Sequence, residues 1–255
     1  MSQGGASDTG LTAAPPVTRV VLVRHGETDW NRERRIQGQT DTPLSALGRL
    51  QAHAIGRRLA ATERFAAIHA SDLARAWDTA QAIAHAAAGH HATHHATHDA
   101  TQDTPQDKTH DGVRSPPPMP VSQPQLREMD FGEWEGRTSA EISLSHPAAH
   151  ARSKARDPDF RIPGGESFRD LYARAVSCVT ALVHAHPGQS ICVVAHGGIL
   201  DMIYRHTHGI ALDQPRVFSL YNAAFNCLEH DGARFRLEVW GDVAHLDAVS
   251  DAVVA

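Results

Sequence analysis

Two segments of this 255-residue chain place a histidine and a glycine directly after an apolar run. Arg24-His25-Gly26 follows Val20-Val21-Leu22-Val23, and His196-Gly197-Gly198 follows Ile191 to Ala195. Open α/β sheets hold ligands at the carboxyl ends of such buried strands. There an arginine offers a planar fork of donors, an imidazole offers a nucleophile or proton carrier, and Gly26 lets the backbone approach closely. That set of groups suits a phosphate, which needs positive donors on its oxygens and an in-line nucleophile. Arg75 follows a third apolar run, in Ser71-Asp72-Leu73-Ala74-Arg75-Ala76. Arg24 and Arg75 read as bidentate clamps, His196 as a further donor, Asn31 as a neutral donor and His25 as the nucleophile. Each has a plainer alternative: an Arg-His-Gly triplet arises by chance in surface turns, and Arg75 could cap a helix or pair with Asp72.

The elements that must position these groups can be read from periodicity. Thr18 to Val23 is a buried strand, and Pro43-Leu44-Ser45 starts a helix, with Ser45 as cap and Leu47, Leu50, Ala54 and Leu59 at helical spacing. Phe65 to Ala70 is a second strand, followed by a helix running to about Ala88. Gln125 to Gly136 reads as a strand end entering a loop. Beyond Pro163-Gly164-Gly165-Glu166-Ser167, a long helix carries Phe168, Leu171, Ala175, Val176, Val179, Leu182 and Val183 on one face. Pro187-Gly188 stops it before the strand Ile191 to Ala195, and a helix from Gly198 to about His206 follows. Ala224 to Glu229 and Phe235 to Trp240, joined through Asp231-Gly232, form an antiparallel hairpin on the sheet edge. Strands alternating with helices imply a parallel sheet covered by helices.

Composition narrows the function classes. A net charge of -5 offers no basic surface for nucleic acid, and no apolar run is long enough to span a membrane. Met1 to Pro16 is small and polar and reads as a disordered tail, with residues 17–250 as one domain. Cys178, Cys192 and Cys227 are far apart in apolar segments, which suits buried reduced thiols and a cytoplasmic location. Seven histidines lie between His85 and His110 among Ala, Thr, Asp and Gln, and the composition from about 86 to 120 predicts a disordered surface insertion. Its spacing fits no defined metal site. No metal and no cofactor are expected, and a partner other than a small phosphomonoester is not evident, although an apolar edge near the hairpin could pair two copies into a homodimer.

Taken together, the two His-Gly turns, Thr28-Asp29-Trp30-Asn31, Ile36-Gln37-Gly38, the Ser-Asp-Leu-x-Arg-Ala run and Leu126-Arg127-Glu128 resemble the histidine phosphatase superfamily. Its members include cofactor-dependent phosphoglycerate mutases and many small-molecule phosphatases. The resemblance implies a three-layer α/β/α sandwich with a mostly parallel central sheet. It also implies that His25 attacks phosphorus to form a phosphohistidine, its other ring nitrogen held by a backbone carbonyl. A protonated His196 would then stabilise charge, so the two histidines are expected to titrate differently. Glu128 stands at the family's acid position, where it would protonate the leaving alkoxide and then activate water. Arg24, Asn31, Gln37, Gly38, Arg75, His196 and Gly197 are the expected substrate contacts. Glu166 resembles a position at the site mouth, but a helix N-terminus favours a carboxylate in any case.

The mutases carry a tyrosine after the acid, a lysine further along and an arginine pair in an insertion. Here Phe131 stands for the tyrosine, Ser139 lies near the lysine position, no arginine pair follows, and Gly197-Gly198 replaces Gly-Asn. The run Phe131-Gly132-Glu133-Trp134-Glu135-Gly136 looks like the phosphatase branch. The reading is a metal-independent phosphomonoester hydrolase, with a 2,3-bisphosphoglycerate-dependent phosphoglycerate mutase second and a catalytically silent phospho-ligand-binding protein third. The mouth, including Thr138 to Phe160, carries no recognisable substrate code.

Overall fold

A computed structural model describes residues 16–98 and 118–249, with side chains for 16–90 and 118–249. The expected N-terminal tail and most of the histidine-rich insertion lie outside the described residues. Six strands form one sheet: β1 (Thr18–Arg24), β2 (Ala67–Ala70), β3 (Pro120–Ser122), β4 (Ser190–Ala195), β5 (Phe225–His230) and β6 (Phe235–Asp242), in the order β3-β2-β4-β1-β5-β6. β3, β2, β4 and β1 run parallel to one another, and β5 and β6 add an antiparallel hairpin at the edge.

Alternation along the central strands sorts the core into two layers, because successive side chains leave a strand on opposite faces. Val20, Leu22, Ile191 and Val193 pack against α6 (Phe168–Ala185) and α7 (Gly197–His208). Val21, Val23, Cys192 and Val194 pack on the other face, with Ile55 and Leu59 of α2 (Ala46–Thr62) and Ala76, Ala80 and Ile83 of α3 (Ala74–His98). The result is the expected three-layer α/β/α sandwich with a mostly parallel sheet. Small residues set the spacing of the second layer: a Cβ on Gly56 of α2 would stand 2.8 Å from the Ala82 carbonyl of α3.

Local chemistry fixes the helix starts. The Ser45 hydroxyl accepts from Gly48 N at 3.0 Å, as its capping position predicts. Thr28 and Asn31 make a reciprocal capping box on the short α1 (Asp29–Arg32), and Ser167 and Asp170 make another on α6. The stretch from Thr138 to Phe160, unassigned from sequence, contains α4 (Ser139–Ser145) and α5 (Pro147–Lys154). Gln125-Leu126 belongs to a 3₁₀ turn, Pro124–Leu126, since the strand in this region ends at Ser122.

One boundary differs: the helix expected to end at about Ala88 runs as α3 to His98, and residues 99–117 of the expected insertion lie outside the described residues. The alanines between the histidines are strong helix formers and continue a helix already anchored by Ala76, Ala80 and Ile83. A Cβ at Gly89 would meet nothing within 4 Å. Gly89→Ala is therefore expected to stabilise the protein by up to about 1 kcal/mol in denaturant unfolding, with a small gain in helical circular dichroism. An unchanged unfolding midpoint would mean that the helix has ended before this position.

Candidate active site

Register brings the two His-Gly turns together. β1 and β4 pair in parallel from Arg19↔Ser190 to Arg24↔Ala195, and His25 N donates to Ala195 O at 3.0 Å as the ladder ends. The next residues, His25 and His196, then lie side by side with ring centroids 5.1 Å apart. Both are buried. The His25 Nδ1 lies 2.7 Å from the Gly26 carbonyl. A carbonyl only accepts, so Nδ1 carries the proton and Nε2 keeps its lone pair. Both ring nitrogens of His196 are buried without a hydrogen-bond partner.

The loop after His25 is held at backbone distance. Gly26 N donates to the Thr79 hydroxyl at 3.1 Å, and a Cβ on Gly26 would sit 2.3 Å from the Gly48 carbonyl. A Cβ on Gly48 would in turn meet the Glu27 carbonyl at 1.9 Å. Asn222, which sequence reasoning missed, donates through Nδ2 to His25 O at 2.8 Å and to Asn31 Oδ1 at 3.3 Å. The Asn31 carbonyl also caps Thr28 N at 3.1 Å, which leaves its Nδ2 as the donor.

The arginines arrive from different directions. Arg75, at the start of α3, is fully buried and donates to Thr40 O at 2.9 Å and Gly38 O at 2.7 Å, with Nε unpartnered. Arg24 donates through Nη1 to the Leu220 carbonyl and also buries an unpartnered Nε. Burial pulls the Arg24 pKa down to about 10, opposed by Glu128, and leaves it charged at neutral pH. Unpartnered buried donors on both arginines make a site that an anion would complete.

Gly38 supports Arg75 with its carbonyl, and its φ of +56° suits glycine. A Cβ there would meet the Glu135 carboxylate at 1.9 Å. Glu135 is a further residue without a sequence-level role: it accepts from Gln39 N and Thr40 N at 2.8 Å and from Phe131 N at 3.2 Å, tying the Gly38 loop to the Phe131 loop. Gln37 acts as a brace, its side-chain carbonyl accepting from the hydroxyls of Thr28 at 2.9 Å and Thr42 at 2.7 Å.

Glu128 joins the cluster through the first turn of α7. Its carboxylate accepts from Met129 N at 2.8 Å and from Gly198 N at 3.0 Å. A Cβ on Gly197 would stand 3.6 Å from Arg24 Nε, and one on Gly198 would strike Glu128 Oε1 at 2.2 Å. Glu166 sits behind this loop. It accepts from Asp130 N at 2.9 Å and pairs with Arg174, which also donates to the Gln125, Arg127 and Glu128 carbonyls. Arg24, Glu128, Gly197 and Gly198 line a cleft of about 610 Å³. Among the described residues no cluster of His, Cys, Asp and Glu could hold a metal ion, and no helix is long and apolar enough to cross a membrane.

His196, expected to be protonated, is depressed together with His25. Burial, then the charge of Arg75, pushes both well below the ordinary imidazole value, and Arg24 adds to each. The protein's own groups thus favour two neutral imidazoles.

The model of the histidine phosphatase superfamily (branch 1) matches residues 20–103 and 107–243. The chain belongs to this superfamily. This histidine phosphatase is 34% identical over 235 residues to a metal-independent phosphoserine phosphatase of Arabidopsis thaliana, covering 91% of this chain and 85% of the relative. It is 33% identical to phosphoglycerate mutase-like protein 4 of the same plant over 230 residues, covering 89% and 86%. Among solved structures it resembles YhfR of Bacillus stearothermophilus, with a TM-score of 0.72 and 32% identity over 90% of this chain and all (100%) of that one. It also resembles a mycobacterial glucosyl-3-phosphoglycerate phosphatase complexed with VO3, with a TM-score of 0.68 and 30% identity over 88% and 99%. The protein is a phosphatase of the histidine phosphatase type.

Two outcomes follow from the geometry. Gly198→Ala is expected to displace Glu128 and lower kcat on the order of 10- to 100-fold, read by steady-state kinetics beside a melting curve. For pH, both histidines bind protons more weakly folded than unfolded, so stability falls as pH drops below about 6.5, by up to about 1.4 kcal/mol per pH unit for each. His69, His230 and His245 share that sign, so the measurement is a difference. His196→Gln is expected to flatten the fall in melting temperature between pH 6.5 and 5 relative to wild type, and parallel profiles would contradict the shift at His196.

Proposed function

We propose that this histidine phosphatase hydrolyses small-molecule phosphate monoesters at His25, without a metal ion, through a phosphohistidine. The observation that carries this reading is the His25 tautomer: Nδ1 donates to the Gly26 carbonyl, so Nε2 keeps a lone pair beside His196. In the first half-reaction Nε2 attacks phosphorus, the P–O bond to the leaving group breaks, and a protonated Glu128 supplies the proton that the alkoxide needs. In the second, the Glu128 carboxylate takes a proton from water as its oxygen attacks phosphorus, the N–P bond breaks and inorganic phosphate leaves. Arg24 and Arg75 balance the phosphoryl charge with their buried guanidiniums, helped by Asn31 Nδ2 and by His196 once the dianion favours its protonation. Gln37 and Gly38 serve by holding the loop and Arg75, and Gly197 by leaving room beside Arg24.

A cytoplasmic setting is part of the same reading. It is supported by three free thiols, of which burial raises the Cys192 pKa and lifts that of Cys227 to about 11.

The test is phosphorus NMR of wild type and His25→Ala in excess EDTA with p-nitrophenyl phosphate, 3-phosphoglycerate and a trace of 2,3-bisphosphoglycerate. Inorganic phosphate is expected from wild type alone, with an acid-labile, base-stable phosphoryl label on the quenched enzyme. Accumulation of 2-phosphoglycerate with little free phosphate would replace the hydrolase with a mutase.

A further inference from the structure

The cleft lined by Arg24 and Glu128 holds two further arginines that the proposed hydrolysis does not use, Arg156 and Arg216. Arg216 lines it, lies exposed in the loop between α7 and β5, and among the described residues has no hydrogen bond or ion pair. The two carboxylates of the same lining are already committed. Asp201 accepts from Arg205 Nε at 2.8 Å and Arg156 Nη2 at 3.2 Å, while Glu128 is held by Met129 N and Gly198 N. Arg156 is occupied further, donating to Leu212 O at 3.0 Å and stacking over Phe168 at 4.6 Å. Behind burial, the positive charge of Arg216 is one of the influences that lower the pKa values of Arg24 and Arg156, so it acts on the phosphate-binding side of the cleft.

The loop presents this guanidinium from fixed points. Arg205 donates to Ala211 O at 2.7 Å and Arg156 to Leu212 O before Arg216, while Trp240 Nε1 donates to Ser219 O at 2.9 Å and Arg24 to the Leu220 carbonyl after it. Pro215 also fixes its own φ next to Arg216. Arg24 thus serves both the phosphate site and the loop that carries the extra cation. The Arg24 and Arg75 guanidiniums balance the two charges of a phosphate dianion, and the unpaired Arg216, in the cleft that Arg24 lines, matches a further negative charge on the ester.

Building on the phosphatase reading, we propose that Arg216 is a specificity-determining residue that selects phosphate monoesters whose leaving group bears a second anionic group, a carboxylate or a phosphate. Its fork suits either in bidentate fashion. Such a site prefers the doubly anionic ester because only that ester can make the charge-assisted contact to Arg216.

Matched esters test this: 3-phosphoglycerate against glycerol 3-phosphate, O-phosphoserine against O-phosphoethanolamine, and fructose 1,6-bisphosphate against fructose 6-phosphate. Wild type is expected to favour the acidic member of at least the carboxylate pairs or the phosphate pair by on the order of ten-fold in kcat/KM, and the responding pairs name the second anion. Arg216→Ala is expected to collapse that ratio, chiefly through KM, and Arg216→Lys to restore part of it. Equal rates within every pair, or equal losses on both members in Arg216→Ala, would overturn the proposal. p-Nitrophenyl phosphate reports separately on hydrolysis. If it is not turned over, the phosphatase reading falls, and thermal-shift titration with the same pairs still decides the role of Arg216, equal shifts by both members excluding it.

Discussion

The parallel, in-register pairing of β1 with β4 is the constraint on which the rest of this molecule depends. It ends with Arg24 opposite Ala195, so the next residue of each strand is a histidine and the two imidazoles meet at 5.1 Å. Slipping the register by one residue would send each side chain to the opposite face. Because β1 is apolar on both faces, its register rests on the fit of Val20 and Leu22 against one layer and of Val21 and Val23 against the other. Core packing and catalytic geometry are therefore one requirement.

The same arrangement concentrates positive charge where water is scarce. Arg75 is fully buried and Arg24 partly, each with an unpartnered Nε, and His196 has no partner for either nitrogen. Buried donors without acceptors oppose folding, and the sheet, the α3 start and the Gly38 loop must hold them against that cost. An anion would give the arginine Nε donors the acceptors that the protein does not supply. The depressed histidines express the same balance, since burial and the arginines keep both imidazoles neutral.

Much of this was legible because the chemistry sits beside strong periodic signals. Both His-Gly turns follow runs of β-branched residues, and Ser45, Ser167 and the Asp231-Gly232 turn mark their elements by local chemistry alone. Glu128 was legible only through the resemblance, and Arg75 only as one reading beside a helix cap or an Asp72 pair, because nothing in their neighbouring residues says that α3 and the Met129 loop converge on β1. Asn222, Glu135 and Gly198 escaped because their roles are made by distant backbone groups: the His25 carbonyl, the Gln39 and Thr40 amides and the Glu128 carboxylate. The end of α3 was misplaced by about ten residues because low apolar content hides a helix that alanines carry on from a start within the core. Gln37 and Glu166 show the opposite limit: their polar side chains lie near the site but brace loops.

The contact between Gly26 and Gly48 has a consequence for how this enzyme can change. There the strand-end loop meets the start of α2 backbone to backbone, with no room for a Cβ on either residue. Contacts made through side chains can be redistributed among rotamers when neighbours are replaced, but peptide groups in van der Waals contact have no such freedom. On its α2 side the loop that carries the nucleophile is therefore held by bond lengths and angles, while the β1 register holds its other side. No rotamer change can absorb a side chain at this pair of glycines, and neither glycine can be exchanged to compensate for the other.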